Sequence, residues 1–239
     1  MIGSPLAGHI RPAANSEPRR DGRPVDMIIL HYTGMDSAAA ACDLLCSPHG
    51  QVSCHYLVDE EGGIIQMVGE EKRAWHAGVS AWQGETDTNS RSIGIEIQNP
   101  GHGPRYRDFP ASQMEAVAAL CRDISSRHAI PPRHVLAHSD VAPGRKIDPG
   151  ERFDWAFLHR LGVGHWVPPA ALDPIPLQGA ALSRFQTLLA GYGYGLAVTG
   201  LVDDQTRRVT DAFTRHFRPD HVTDTPDLSA LATAERLTA

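Results

Sequence analysis

Three residues able to ligate a metal stand where the chain changes direction. His31 closes the apolar run "MIILHY", His138 follows "HVLA", and Asp148 comes ten residues later in "DVAPGRKIDPG". A catalytic zinc takes three side-chain ligands from His, Asp, Glu or Cys and leaves a fourth position for water, so two imidazoles and a carboxylate at such places can make a hydrolytic centre. In that reading His138 enters the site, the "VAPGRK" loop swings out, and Pro149 stiffens the return that presents Asp148. His134 would share a strand face with His138 but too far along it to join the coordination. The bland alternative stands beside this one. A histidine at a strand end is often a satisfied polar residue, "RKID" is an ordinary solvated turn, and separated ligands carry less signal than a paired H-E-x-x-H.

Strands and helices must bring these residues together. "MIILHY" is short, β-rich and bounded by turn residues, which predicts a buried strand with His31 at its exit. Asp36 can cap a helix through "SAAAACDLLC", and "CHYLVDEEGGIIQMV" reads as a hairpin turning at residues 59–63. In "SIGIEIQN" the isoleucines at 93, 95 and 97 share one face, so Glu96 projects from the other. Ser112 and Glu115 form an S-x-x-E capping box, after which Met114, Val117, Cys121 and Ile124 recur at helical spacing to about His128. "IPPRHVLAHSD" then breaks the helix and starts another strand ending at His138. The expected fold is α/β, a central mixed β-sheet flanked by helices, with a small C-terminal helical domain.

Composition narrows the partners. The chain has 239 residues, with 22 basic against 28 acidic side chains and a formal charge of −6, which excludes an electrostatic grip on nucleic acid or an anionic membrane. No apolar stretch is long enough to span a bilayer. Residues 1–24 lack the apolar run of a signal peptide and read as a flexible arm, so the expected compartment is the cytoplasm, with the periplasm or export by an unrecognised route as the alternative. Cys42, Cys46, Cys54 and Cys121 are too few and too irregular for a disulfide framework and read as free thiols. Residues 25–165 are expected to form the catalytic domain. Residues 166–179, containing "VPPAALDPIP", form a semi-rigid linker. Residues 180–239 form a small helical module whose tail after Asp220 is polar and frayed.

Five blocks in order, "MIILHYTG", "SCHYLVDEEG", "AWHAGVSAWQG", "NSRSIGIEIQN" and "LAHSDVAPGRKIDPG", resemble the zinc-dependent N-acetylmuramoyl-L-alanine amidases, the family of phage-type amidases and peptidoglycan recognition proteins. The resemblance covers residues 25–157. It implies hydrolysis of the amide between the lactyl group of N-acetylmuramic acid and the L-alanine of the stem peptide, in peptidoglycan or in soluble muropeptides. It also implies one zinc ion held by His31, His138 and Asp148, with Glu96 matching the acidic residue of the "GIE" block and Lys146 the basic residue before the last ligand. Glu96 would move the proton and Lys146 would hold the oxyanion. The alternatives are a structural ion pair with Arg91 for Glu96 and a surface turn charge for Lys146. A non-catalytic peptidoglycan recognition module is the rival reading of the whole chain, although such relatives lose a ligand or the acid.

Substrate contacts are less marked. Trp75, His76 and Trp82 could line a groove or pack a core. Arg73, Arg91 and Arg145 could bind stem-peptide carboxylates or serve as surface charges. Cys54 reads as packing and His55 as a partner behind the site. The C-terminal "FQTLL…GYGYG…TGLVDDQT" resembles a three-helix peptidoglycan-binding domain, with Thr214 where that family has glutamine.

Overall fold

Short β-branched runs and longer stretches of helical periodicity alternate along the chain, and the computed structural model, which describes residues 2–239, turns them into an α/β layer structure. Two short strands, β1 (His9–Ile10) and β2 (Ser16–Pro18), precede the long β3 (Met27–Tyr32) and helix α1 (Ala38–Cys46). There follow β4 (Tyr56–Val58), β5 (Ile64–Gln66), β6 (Lys72–Ala74), one turn of helix α2 (Thr88–Arg91) and β7 (Ser92–Ile97). Helix α3 (Ala111–His128) leads to β8 (Val135–Ala137), the single turn α4 (His138–Val141) and α5 (Trp155–Arg160). The chain ends in α6 (Gly179–Tyr192), α7 (Asp204–Phe217) and α8 (Leu228–Leu237).

Six strands form one mixed sheet in the order β1-β5-β4-β7-β3-β8, antiparallel only between β4 and β5. Alternation sorts its side chains to two faces. Ile28, Leu30, Ile93, Ile95, Ile97 and Val135 pack with residues of α3 and α5. Met27, Ile29 and Leu136 face the other way and pack with Leu182, Phe185, Leu189, Val209, Phe213 and Ala234 of the last three helices. His31 continues the second face. A third cluster seats α1 on Cys54, Leu57 and Met67.

Several local expectations are corrected. Ser37, not Asp36, caps α1, accepting the N–H of Ala40 at 3.2 Å, while Asp36 pairs with Arg105. Helix α3 starts at Ala111 without a side-chain cap, because the Ser112 hydroxyl lies inside the helix and donates to the Glu60 carbonyl. Residues 2–24 are no flexible arm. β1 adds to the sheet edge, β2 pairs with β6, and Arg19 donates to the carbonyls of Glu70, Asn89, Ser90 and Ser92. Nor does the chain fray after Asp220. Asp227 caps α8 by accepting the Ala230 N–H at 2.7 Å, and Ala230, Leu231, Ala234 and Leu237 are buried. The proline-rich segment is a linker in composition only, since the module beyond it shares one core with the sheet. Trp82 sits in that shared core, fully buried and edge-on to Tyr192 and Tyr194.

Candidate active site

Parallel strands put their carboxyl ends on one edge, the place where open α/β sheets bind ligands. His31 lies near the end of β3, directly beside Glu96 in the register of β7, and His138 is the first residue after β8. Asp148 returns to them because the Ser139 N–H donates to its carbonyl at 3.0 Å. The three ligand atoms converge. His31 Nδ1 and His138 Nδ1 are 2.9 Å apart, and Asp148 Oδ2 is 3.1 Å from the first and 2.9 Å from the second. All three residues are buried, and no other such group of His, Cys, Asp and Glu occurs among the described residues.

Hydrogen bonds behind the site decide the tautomers. The Ser92 hydroxyl donates to the Thr88 carbonyl at 2.7 Å, so its oxygen accepts from His76 Nε2–H at 3.1 Å. His76 Nδ1 is then an acceptor, 3.0 Å from His31 Nε2, which must carry the proton. His138 Nε2–H donates to the Ala77 carbonyl at 3.0 Å. Both Nδ1 lone pairs therefore face the carboxylate. Burial, with the His138 ring adding to it, pushes His31 down to about 4. Burial opposes ionisation of the Asp148 carboxyl, whereas a proton on either ring, through its charge and its N–H, holds that carboxyl well below its ordinary range, so the carboxylate binds a cation at this point in preference to staying neutral. Two neutral imidazoles and an ionised carboxylate aimed at one point, with no donor among them, suit a divalent cation, and this N,N,O set suits zinc.

The ligands open into a cavity of about 360 Å³, also lined by Tyr32, Trp75, His76, Glu96 and Lys146. Burial and the nearby Asp148 charge push the Glu96 carboxyl well up, against the pull of Lys146. One of its oxygens is buried without a hydrogen-bond partner. A carboxyl whose proton is held more tightly than usual, with one oxygen free of partners, is suited to accept and pass on a proton.

Sequence comparison agrees with this geometry. The family described as N-acetylmuramoyl-L-alanine amidase matches residues 21–151. N-acetylmuramoyl-L-alanine amidase AmiD of Escherichia coli (strain K12) is 38% identical over 231 residues, 89% of this chain and 82% of AmiD. The chain belongs to the N-acetylmuramoyl-L-alanine amidase family. Solved structures show the same fold for the amidase. E. coli AmiD in complex with anhydro-N-acetylmuramic acid-L-Ala-D-gamma-Glu-L-Lys superposes with a TM-score of 0.79 at 35% identity, covering 95% of this chain and 91% of that one. Pseudomonas aeruginosa AmpDh3 in complex with anhydromuramic pentapeptide gives 0.75 at 30% identity, covering 95% of this chain and 97% of that one.

Not every residue singled out by type reaches the amidase cavity. Arg91 points to the opposite end of β7, pairing with Asp26 and, at 3.8 Å, with Glu85, so it neither binds substrate there nor pairs with Glu96. Arg145 lies behind His138, donating to the Val79 carbonyl at 2.9 Å and to that of Ala77. Arg73 is engaged by Glu17 and Asp87. Trp75 and His76 do line the cavity, but His76 is turned inward to His31. Gly94 makes room for that ring, since a Cβ there would stand 2.4 Å from it. His55 backs the same ring with centroids 5.8 Å apart. Cys54 is buried and burial pushes its thiol well up, which leaves it inert. Ser92 and Thr88 escaped the sequence reading, because a serine opening a strand carries no chemical signal until its neighbour is known.

Proposed function

We propose that the amidase holds one zinc ion on His31, His138 and Asp148, uses Glu96 as its proton carrier and Lys146 as its oxyanion partner, and acts on soluble muropeptides with a 1,6-anhydro sugar. The observation that carries this reading is the convergence of three lone pairs beside Glu96 on the floor of one cavity. A bound zinc supplies Lewis acidity, polarising the amide carbonyl and lowering the pKa of the attacking water. Glu96 takes the proton that the water loses as its oxygen bonds to the carbonyl carbon, then gives it to the L-alanine nitrogen as the carbon–nitrogen bond breaks. The Lys146 ammonium, reaching in from the return loop, offsets the charge on the former carbonyl oxygen. Peptide-bearing anhydro sugars occupy the solved AmiD and AmpDh3 relatives, which supports the substrate class.

Mass analysis of products from anhydro-muropeptides, reduced muropeptides and whole sacculi tests it, with zinc content measured alongside. About one zinc per chain and fastest release of the stem peptide from the anhydro substrate are expected. Glu96→Ala should keep the zinc and lose about a hundredfold to ten-thousandfold in kcat. Zinc without turnover on any substrate would return the chain to the recognition reading. Binding of wall polymer by the C-terminal helices rests on their sequence resemblance alone, and sedimentation with sacculi tests it separately. No helix among the described residues is long and apolar enough to cross a membrane. A cytoplasmic compartment, supported by four free thiols, is the further part of the proposal. Recovery of the protein in the envelope or periplasmic fraction would overturn it.

A further inference from the structure

Asp140 lies two residues beyond His138 and is 1% exposed. A carboxylate so buried is costly unless its oxygens find donors. Oδ2 accepts the Ala137 N–H at 2.8 Å and His216 Nδ1–H at 2.7 Å, and Oδ1 accepts the Tyr194 hydroxyl at 2.7 Å. The first of these bonds caps the opening turn of α4. The other two come from the C-terminal helices, since Tyr194 closely follows α6 and His216 belongs to α7. Both donors are themselves fixed. The Tyr194 ring stands edge-on to Trp82 with centroids 5.1 Å apart, and the His216 ring stacks on Trp155 at 3.8 Å.

The clasped turn carries much of the ligand set. His138 is the first residue of α4, and the Ser139 N–H holds the Asp148 carbonyl at 3.0 Å. Displacing α4 therefore displaces two ligands of three at once. His31 is placed independently by β3 and by His76. We propose that Tyr194 and His216 are positioning residues for the metal centre: by clasping Asp140 they fix α4, and the C-terminal helices thereby set how tightly the amidase holds its cation. This rests on the ligand assignment proposed above. It gives the C-terminal helices a part in the chemistry that wall binding would not require.

Substitutions separate positioning from packing. Tyr194→Phe removes one hydroxyl and keeps the ring on Trp82. His216→Leu removes the N–H, whereas His216→Asn loses the stacking on Trp155 but returns an amide N–H near the place of Nδ1. Zinc affinity is read by competition with a chromophoric chelator, site geometry by the visible absorption of the cobalt(II)-loaded proteins, and fold by the melting temperature of the metal-free proteins. Tyr194→Phe and His216→Leu are expected to weaken zinc binding about tenfold and to alter the cobalt bands, with kcat falling and KM unchanged. His216→Asn should melt at a lower temperature yet stay within about threefold of the parent affinity. Zinc affinity and cobalt spectra identical to the parent in Tyr194→Phe and His216→Leu would overturn the clasp, and so would an affinity that follows melting temperature through all three variants. If the parent itself binds no zinc, or binds it equally well as His31→Ala, the ligand assignment fails and takes the clasp with it.

Discussion

A ring nitrogen presents a lone pair to a cation only when its proton is held elsewhere, and in this amidase a serine decides that for His31. The order runs from the Thr88 carbonyl through the Ser92 hydroxyl to His76 and then to His31 Nε2. His76→Phe keeps a ring over Gly94 but ends the relay, so zinc affinity should fall about tenfold to a hundredfold in a chelator competition. An unchanged affinity would show that β3 alone orients His31. His55, just behind, is wired as a neutral ring. Its Nδ1 accepts the Gly94 N–H at 2.9 Å and its Nε2 lies 3.1 Å from the Lys72 carbonyl. Burial, with the Arg19 charge adding to it, lowers its pKa from 6.5 to about 3. The unfolded chain takes up this proton below pH 6.5 while the folded chain refuses it until about pH 3. The stability due to His55 is thus complete above pH 6.5 and is lost as pH falls toward 3, by about 1.4 kcal/mol per pH unit. Urea unfolding of His55→Gln at a series of pH values should show a slope between pH 6.5 and 4.5 that is shallower by about one proton. Identical slopes would mean that His55 is protonated in the fold.

Helix α7 shows how one element serves two walls, because Arg215 precedes His216 and reaches the other side of the site. Its guanidinium donates to Glu151 Oε2 at 2.5 Å, the same oxygen lies 3.0 Å from His102 Nε2, and His102 Nδ1 lies 3.1 Å from the hydroxyl of Tyr32. Tyr32 lines the cavity. Arg215→Met should therefore raise KM for a soluble muropeptide about fivefold, corresponding to about 1 kcal/mol of lost positioning, and leave zinc affinity alone. Steady-state kinetics with a zinc titration decide this, and a change in zinc affinity with KM unmoved would refute the ladder. Such elements differ in how plainly the sequence declares them. β3 and β7 were legible from β-branched runs and from the alternation that turned Glu96 away from three isoleucines, and α3 from Met114, Val117, Cys121 and Ile124. β1 and β2 were not, because "HI" and "SEP" have no pattern and exist only through their partners. α8 read as polar because its buried face mixes Ser229 and Thr233 with two alanines and two leucines. The ligands were legible as types at strand ends. Their convergence was not, since it depends on β3 lying between β7 and β8, and the Asp140–His216 pair spans 76 residues without a local signal.

At the scale of the molecule the question is whether the last third of the chain can be removed, as its proline-rich approach suggests. The sheet answers through its second face. Met27, Ile29, Trp82, Leu136 and Val141 belong to the same buried cluster as the side chains of α6, α7 and α8. Fully burying one large apolar side chain contributes about 1.5–3 kcal/mol, so uncovering five of them costs on the order of 8–15 kcal/mol. That sum is an upper estimate, because the unfolded chain already hides part of this surface. Even half of it is comparable with the whole stability of an ordinary domain, about 5–15 kcal/mol. The same cut removes both donors that clasp Asp140, leaving α4 held on that side only by the Ala137 N–H bond to Asp140. A chain ending near Val167 is therefore expected to lack a cooperative thermal transition and to hold little zinc, both read on purified protein by circular dichroism and metal analysis. Residues 168–239 supplied as a separate polypeptide should restore both, because the joint is made by packing and hydrogen bonds rather than by the linker. A truncated chain that melts cooperatively and binds zinc like the parent would show that the sheet face survives uncovered, and would hand the C-terminal helices back to a role outside the catalytic unit.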